Sequence, residues 1–390
     1  MRTRRAAVVG LGGISKEWLP PLLAREDVDL VALVDPDRAR AEEQRVAFGL
    51  SCPVHMDTAA ALEVERVDLV INLTPPGFHR EVSEAALAAG CDVIVEKPLT
   101  DELSDAVAIV EAARAAGRTV AVMQNRRYHP AVRRMRAGLA AGEIGDQVDT
   151  SVDMFLWHIY SNPYLLNAAS PLLRDMAIHQ FDMARAITGA NAMTVQTLEW
   201  SSPTSFMPGA TAAAATFELS NGAVFSYRGS WVAEGAQTSY DGAWRVGGTR
   251  GSFSWDSEAR LVVETVERVD GPHATGVHTT VDEDVPRLDR VGHPSGLNAI
   301  LDALHAGRTP ETVAHDNLLS LAMVDAAVQS SRERRTIEID QVLAEAGWDF
   351  TSNEPMSDAV VQTTATRERQ TLISRDGTHE RGHERRQELG

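Results

Sequence analysis

The stretch VVGLGGIS, residues 8–15, decides the architecture of the first part of the chain. It follows a short apolar run at residues 6–10 and precedes a helical pattern that extends to about Arg25. Gly10 and Gly12 occupy the first two glycine positions of G-x-G-x-x-G, and Ser15 occupies the third. This spacing allows a tight turn between a buried strand and a helix. The sequence therefore predicts a strand–turn–helix unit here.

The alternation of strands and helices continues beyond this unit. Apolar runs stand at residues 28–35, 67–74, 92–96 and 119–124, and helical patterns stand at 37–48, 78–89 and 101–116. Continuous apolar strands that alternate with helices indicate a parallel sheet covered on both faces. We therefore expect an α/β chain whose residues 1–124 form a doubly wound parallel sheet.

After about residue 145 the apolar residues alternate with polar ones. GDQVDTSVDMFLW (145–157), TAAAATFELSNGAVFSYRGSW (211–231) and AWRVGGTRGSFSWD (243–256) have the pattern of half-exposed strands, and Asn221-Gly222 is typical of a hairpin turn. Helical patterns return at 294–306 and 315–332. We expect residues 125–345 to form an α+β domain with an open-faced, largely antiparallel sheet. The polar segment 352–390 is predicted to be a disordered tail.

Composition excludes several classes of function. A net charge of -18 disfavours nucleic acid as a partner, because phosphate contacts need clustered cations. Two cysteines cannot form a disulfide framework or a zinc cluster. The Arg4-Arg5 pair resembles the start of an export signal, but the apolar run breaks at Gly10 and no cleavage site follows. No apolar run is long enough for a membrane span, so we expect a cytoplasmic protein.

The glycine turn predicts a dinucleotide site. Residues without side chains let the backbone approach a pyrophosphate, and the helix N-terminus supplies N–H donors. Asp35 ends the second strand, where a carboxylate can accept hydrogen bonds from the ribose hydroxyls and repel a 2′-phosphate, which favours NAD. The alternative role for Asp35 is a cap on the next helix. Arg38 and Arg40 could instead hold a phosphate, which would admit NADP.

A lysine follows the strand at residues 92–96. The chain has only two lysines, Lys16 and Lys97, among 37 basic residues. Lys97 stands at the carboxyl end of a parallel strand, where ligands bind in such sheets. Its ammonium can donate a hydrogen bond to a substrate oxygen, and it can titrate if it is partly desolvated. The alternative is a surface lysine paired with Glu96. The Lys97–Pro98 bond is predicted to be tight, with the cis isomer allowed.

A second group of titratable residues lies in SPLLRDMAIHQFDMARAITG, residues 170–189. Asp175, His179 and Asp182 fall at i, i+4 and i+7, so an α-helix would carry all three on one face. A histidine beside a carboxylate can exchange a proton near neutral pH. The alternatives are a buried histidine held by helix pairs or a two-residue metal site. No third ligand is in reach, so we expect no metal.

Several stretches together resemble the Gfo/Idh/MocA oxidoreductase family, which includes inositol and sugar dehydrogenases. They are VVGLGGIS, VINLTPPGFHREVSEAALAAGCDVIVEKPL, VMQNRRYHPAVRRM, GEIG and LLRDMAIHQFDMARAITG, and the resemblance covers roughly residues 5–340. It implies an NAD(P)-binding Rossmann domain followed by an open-faced sheet domain, through which members often form homo-oligomers such as dimers or tetramers. It also implies that Lys97, Asp175 and His179 form the catalytic group.

The resemblance and the motifs together indicate two further sets of residues. The candidate cofactor contacts are Gly10, Gly12, Gly13, Ile14, Ser15, Asp35, Arg38, Thr74, Pro75, His79, Glu96, Lys97, Gln124 and Asn125. The candidate substrate contacts are Arg126, Arg127, Trp157, His158, Arg174 and Trp231. For the tryptophans and His158 the alternative is sheet packing, and for Arg127 and Arg174 it is solvated charge. Many members have a glycine cluster where this chain has AASPLLRD, which leaves the substrate class open.

The expected reaction is hydride transfer between a secondary alcohol carbon of a sugar or cyclitol and the nicotinamide of NAD. His179 would take the hydroxyl proton, Asp175 would hold the tautomer of His179, and Lys97 would stabilise the reacting oxygen. Two alternatives stay open: an NAD-dependent glycosidase-type enzyme of the same family, and a cofactor-sensing regulator without turnover.

Overall fold

The first domain is built on a parallel sheet. The computed structural model describes residues 3–157, 168–256, 260–270, 273–282 and 292–349. The strands of this domain are β1 (Arg4–Val9), β2 (Val28–Val34), β3 (Val54–His55), β4 (Leu69–Asn72), β5 (Asp92–Val95) and β6 (Val120–Val122). The helices are α1 (Ser15–Leu23), α2 (Arg38–Ala47), α3 (Thr58–Glu65), α4 (His79–Ala88) and α5 (Leu103–Ala116).

The strand order β3-β2-β1-β4-β5-β6, with all neighbours parallel, confirms the predicted doubly wound sheet. Every residue of β4 and β5 is buried, as expected for strands covered on both faces. β3 and α3 were not predicted, and for β3 the reason is that a two-residue strand leaves no periodic signal. α1 contains Pro20 and Pro21 and ends at Leu23, earlier than expected.

The second domain begins after β6 with a 3-10 turn at Asn125–Tyr128. Its strands are β7 (Gln147–Phe155), β8 (Ala192–Trp200), β9 (Ala212–Leu219), β10 (Val224–Ser230), β11 (Ala243–Gly248), β12 (Gly251–Trp255), β13 (Leu261–Asp270), β14 (His273–Asp282) and β15 (Ile337–Glu338). Its helices are α6 (Pro130–Ala140), α7 (Ile178–Thr188), α8 (His293–His305), α9 (Ala314–Glu333) and α10 (Ile339–Glu345). A π-helical turn at Leu172–Ala177 leads into α7.

The strands of the second domain form one sheet in the order β14-β13-β12-β11-β7-β10-β9-β8-β15. Among the described strands of this second sheet, only β7 and β10 pair in parallel. The prediction of a largely antiparallel sheet is therefore confirmed. The Asn221-Gly222 hairpin is also confirmed, because β9 and β10 pair across it and Gly222 has a φ of 83°. Such a φ favours glycine.

Helix α7 lies on the inner face of this sheet. The ring of Phe181 packs edge-on against Phe217 of β9 and Tyr227 of β10, with ring centroids 4.9 and 5.3 Å apart. The alternating burial along β9 and β10 leaves the other face of the sheet open. Helix α9 packs against α5 of the first domain, and Val122 N–H donates to Thr312 O at 2.8 Å. These contacts hold α7 near the carboxyl ends of the parallel strands.

Two features complete the description. No helix within the described residues is long and apolar enough to cross a membrane. The segment predicted as a disordered tail, residues 352–390, lies outside the described residues.

Candidate active site

A cavity of about 810 Å³ follows the carboxyl ends of the parallel strands. The glycine turn forms one end of it, and Lys97, Arg174 and Asp175 line the other. Leu321 and Val324 of α9 also contribute to the wall. The cavity therefore connects the predicted cofactor residues of the first domain with predicted catalytic residues of both domains.

The glycine turn has the shape that a dinucleotide needs. Gly10 has a φ of 90°, and a Cβ atom there would lie 2.7 Å from the carbonyl carbon of Leu73. Ideal Cβ positions at Gly12 and Gly13 have no atom within 4 Å, and both glycines line the cavity together with Ile14. Ser15 is fully buried and donates to Gly12 O at 2.7 Å, so it closes the turn instead of lining the cavity. Open backbone at a helix N-terminus fits a pyrophosphate.

Asp35 lines the cavity but is only 2% exposed. Its two oxygens accept hydrogen bonds from Leu11 N and Asp37 N, both at 2.8 Å. The alternative role as a helix cap is wrong, because Asp37 caps α2 by accepting from the backbone of residues 39 and 40. Arg38 was predicted as a cofactor contact, but it is exposed and does not line the cavity. Arg40 does line it, 3.4 Å from Asp35 Oδ1.

Thr74, Pro75 and His79 line the cavity after β4. The buried ring of His79 lies between backbone carbonyls, with Nε2 2.7 Å from Thr74 O and Nδ1 3.0 Å from Pro98 O. Burial lowers the pKa of His79, and its hydrogen bonds to the backbone only partly oppose this. His79 therefore braces the loop after β4 against the loop after β5.

Lys97 is held at the domain boundary. The Lys97–Pro98 bond is cis, which the sequence analysis allowed. Lys97 Nζ donates to Asp175 O at 3.0 Å and to Asp175 Oδ1 at 3.1 Å. Burial lowers the pKa of Lys97, but the charge of Asp175, followed by Tyr240 and Glu96, raises it above its ordinary value. Lys97 is therefore a cationic donor at neutral pH and not a base.

The π-helical turn changes the spacing of the predicted catalytic residues. A π turn leaves a carbonyl outside the regular α-helical ladder, and here the Asp175 carbonyl accepts from Lys97. The expectation that Asp175, His179 and Asp182 share one helical face is wrong. Asp182 is buried in a separate cluster with Arg127 and Ser320. The α-helical spacing rule relates His179 to Asp182, which both lie in α7, but it does not relate either of them to Asp175, which lies in the π turn.

His179 is the second residue of α7 and is 4% exposed. Its Nδ1 and Asp175 Oδ2 are both buried without a hydrogen-bond partner among the described residues. Asp175 thus engages Lys97 instead of orienting His179, contrary to expectation. Burial, followed by the charges of Lys97, Arg126 and His293, holds the pKa of His179 well below its ordinary value. A neutral imidazole beside a cation can accept a proton.

Three residues form an adjoining polar group that sequence reasoning mostly missed. Arg126 Nη1 donates to Asp241 Oδ2 at 3.2 Å, and its guanidinium lies 4.6 Å from the centre of the Tyr240 ring. Tyr240 also packs edge-on against His179, with centroids 5.9 Å apart. Burial raises the pKa of Asp241, while Arg126 opposes the shift. Tyr240 and Asp241 precede β11 in a loop without any motif, so no local signal could have identified them.

Gln124 and Asn125 stand beside this group. Both are buried, and their side chains carry amide atoms without partners among the described residues. Neither residue lines the cavity, so the predicted contacts of Gln124 and Asn125 with a cofactor stay a prediction.

The predicted substrate residues separate into different environments. Arg127 is buried in ion pairs with Asp182 and Asp316, so both a substrate contact and a solvated charge are wrong. Trp231 lies in the core and is 1% exposed, which agrees with the alternative that it packs within the sheet. Trp157 is 39% exposed, forms a bridge with Val232 and does not line the cavity.

Two members of that set remain. Arg174 lines the cavity and donates to Asp101 O at 3.2 Å and Asp325 Oδ1 at 3.1 Å. His158 lies outside the described residues. No cluster of three or more His, Cys, Asp or Glu side chains that could hold a metal ion occurs in the described part of the chain.

Comparison with known proteins agrees with this geometry. A family model described as "Oxidoreductase family, NAD-binding Rossmann fold" matches residues 4–124, and the model of the family's C-terminal alpha/beta domain matches residues 139–339. The fold and site define an oxidoreductase with an NAD-binding Rossmann domain. The chain belongs to the Gfo/Idh/MocA oxidoreductase family, as its motifs indicated.

Individual relatives are similar over most of the chain. D-apiose dehydrogenase from Paraburkholderia graminis is 28% identical over 354 residues, covering 88% of this chain and 91% of that protein. Inositol 2-dehydrogenase from Rhizobium meliloti is 25% identical, covering 86% and 99%. The crystal structure of an oxidoreductase from Agrobacterium radiobacter in complex with NAD+, L-tartaric acid and magnesium aligns with a TM-score of 0.78 at 24% identity, covering 87% and 99%. This last similarity shows the fold.

Proposed function

We propose that the protein transfers a hydride between a secondary alcohol carbon of a sugar or cyclitol and NAD. The observation that carries the proposal is a cavity that runs from the glycine turn to a cationic Lys97. His179 does not line this cavity, but it is buried and neutral, and the charge of Lys97 acts on it and lowers its pKa. The similarity to proteins named D-apiose dehydrogenase and inositol 2-dehydrogenase supports a polyhydroxylated substrate.

The residues of the first domain fit the cofactor. Gly10, Gly12 and Gly13 would receive the pyrophosphate, and Asp35 would face the adenosine ribose. Bound nicotinamide supplies the hydride acceptor. NAD is preferred in this proposal because the Asp35 carboxylate disfavours a 2′-phosphate and also pairs with Arg40, the cation that could otherwise bind that phosphate.

Side chains of the protein carry out the remaining steps, which are proton transfer and stabilisation of the reacting oxygen. Neutral His179 accepts the hydroxyl proton when the alcohol is oxidised. Lys97 donates a hydrogen bond to the reacting oxygen and stabilises its developing negative charge. Asp175 holds Lys97 through both its carbonyl and its carboxylate, which differs from the role expected from the sequence. Arg126, Tyr240 and Asp241 border the same site and contribute to substrate binding.

The assignment of cofactor binding and substrate binding to separate parts of the chain stays a prediction. Residues 1–124 hold the cofactor, and residues 125–345 hold the substrate. The exposed face of the second sheet includes Leu198, Trp200 and Val224, which are 51%, 49% and 37% exposed. We propose that this face joins subunits into a dimer or tetramer, since a large open sheet face favours burial against a second copy.

A spectrophotometric screen tests the function. The full chain is mixed with NAD or NADP and with on the order of tens of free sugars and cyclitols, and absorbance of the reduced cofactor is followed. Stoichiometric reduction of NAD with at least one compound is the expected result. Turnover of glycosides without net reduction would favour a glycosidase-type enzyme, and cofactor binding without any turnover would favour a regulator.

A further inference from the structure

Hydrogen-bond donors from both domains hold the carboxylate of Glu96 in place, and together with Glu96 they form a clamp. Its Oε1 accepts from Trp18 Nε1 at 2.8 Å and from His293 Nε2 at 2.7 Å. Trp18 belongs to α1, and His293 is the first residue of α8. The side chains of Glu96 and His293 are 10% and 17% exposed. Because a carboxylate cannot donate, the shared hydrogen lies on Nε2 of His293.

This clamp acts directly on the main chain of Lys97. The other oxygen of Glu96 accepts from Lys97 N at 2.7 Å. The far end of the same lysine donates to Asp175. Lys97 is therefore fixed at both ends, at its backbone by Glu96 and at its ammonium by the π-helical turn. The sequence motif marked Glu96 as a cofactor contact, and its hydrogen bonds assign it a second role.

Several charged groups surround the clamp. Lys97 follows Glu96 in the chain, and the charges of Lys97, Arg126 and His293 all act on His179 of α7. Helix α1 contributes the neutral Trp18, whose ring centroid lies 5.5 Å from that of His293. Burial raises the pKa of Glu96, but His293, Trp18 and Lys97 together keep it below its ordinary value. Glu96 is therefore an anion at neutral pH.

We propose that His293 is a positioning residue that acts on Lys97 through Glu96. The proposal rests on the proposed function, since Lys97 is the group that contacts the reacting oxygen. The hydrogen bond from His293 to the Glu96 carboxylate is charge-assisted, and it holds the other oxygen of Glu96 on the backbone N–H of Lys97. Loss of the His293 donor should therefore loosen Glu96 and slow hydride transfer.

Kinetics of three variants test the positioning role. His293→Phe keeps the packing on Trp18 but removes the donor, and we expect a loss of about 10-fold in kcat, since small displacements of catalytic groups have effects of this order or larger. NAD affinity should stay within about 2-fold. His293→Gln keeps a hydrogen-bond donor, so it should recover most of the rate. Trp18→Phe is the matched control, because it removes the other donor to the same oxygen, and it should lower kcat less than His293→Phe because Glu96 keeps the hydrogen bond of His293.

Nuclear magnetic resonance gives a readout that needs no turnover. In the full chain labelled with 15N-lysine there are two lysine backbone amides, and Lys16→Arg assigns that of Lys97. The resonance of the Lys97 amide should move in His293→Phe and return close to its unmodified position in His293→Gln. An unmodified rate in His293→Phe, or a Lys97 amide resonance that does not move in that variant, would overturn the positioning role. A normal amide response in a protein that reduces no cofactor would instead reject the proposed function and leave the clamp intact.

Discussion

Two carboxylates seven residues apart, Asp175 and Asp182, each face a cation, but they have different surroundings. Both oxygens of Asp182 are bonded, one to Arg127 and the other to Arg127 and Ser320. Asp175 has one oxygen bonded to Lys97, and its other oxygen has no partner among the described residues. The first pair belongs to a saturated cluster, and the second has free hydrogen-bonding capacity.

We interpret the first pair as structural and propose that the second belongs to the active site. Buried polar atoms without partners cost free energy, and a bound ligand can supply the missing partners. Near Lys97 and Asp175 such atoms are Asp175 Oδ2, His179 Nδ1, Arg126 Nε, Gln180 Oε1 and Asp241 Oδ1. Arg127 sits beside Arg126 in the chain but has its charge matched by Asp182 and Asp316. Neighbouring arginines therefore have different roles.

The largest effect is expected at the unsaturated site. His179→Ala removes the proposed base and should lower turnover by about 10²–10⁴-fold. NAD binding should persist, because the glycine turn and Asp35 lie in the other domain. Single-turnover hydride transfer measures the loss, and thermal unfolding serves as the control for folding. Hydride transfer at the unmodified rate would show that the base lies elsewhere.

A substitution in the saturated cluster should change the stability of the protein and not its reaction rate. Arg127→Met leaves the carboxylate of Asp182 buried without its cation, which costs about 3–5 kcal/mol in comparable pairs, while Asp316 keeps its ion pair with Arg185. Chemical denaturation measures this change in the free energy of unfolding. Arg174→Met is the matched control, since Arg174 is 33% exposed at its side chain and should lose little stability. Equal stability of both variants would remove the distinction between the two clusters.

The fold was predictable where the signal is local and periodic. The apolar runs of β4 and β5, the glycine turn at Gly10 and the Asn221-Gly222 hairpin each follow from residue spacing within a short window. The same local reasoning selected Lys97 and His179 as candidates, because a strand-end lysine and a histidine near a carboxylate stand out in sequence, and their catalytic roles stay a prediction.

The missed features depend on contacts between distant segments. His293 reaches Glu96 across 197 positions, and Tyr240 reaches His179 from a loop without a motif. The π turn before α7 changes the position of Asp175 relative to His179, and α-helical spacing cannot anticipate such an insertion. Arg127 looked like a surface charge because its carboxylate partners are 55 and 189 positions away.

A smaller effect is expected at the cofactor end, where Asp35 and Arg40 form a third cation–carboxylate pair. Asp35→Ser should move preference from NAD toward NADP by about 1–3 kcal/mol, the usual scale for an unpaired or repelled polar group. The change also releases Arg40, which is 3.4 Å from Asp35 and half-exposed. The ratio of kcat/KM for the two cofactors measures the shift. Arg40→Ala in the Asp35→Ser background should abolish the gain, and better NADP turnover in the unmodified protein would contradict the role of Asp35.

The smallest expected effect is on the position of the pH profile, and it tests whether the charge of Lys97 acts on His179. The oxidation rate should rise with pH as His179 loses its proton, and this rise should lie below the ordinary histidine range, because burial and then Lys97 lower the pKa of His179. Lys97→Gln removes the positive charge, so protonated His179 becomes less unfavourable and the rise should move to higher pH. Lys97→Arg keeps the charge and should leave the rise in place while slowing the reaction, because a planar guanidinium cannot reproduce the contacts of an ammonium with Asp175. Pre-steady-state rates across the acid range compare the two variants. A rise at the same pH in both would show that the charge of Lys97 does not set the proton affinity of His179, and that Lys97 acts only on the substrate.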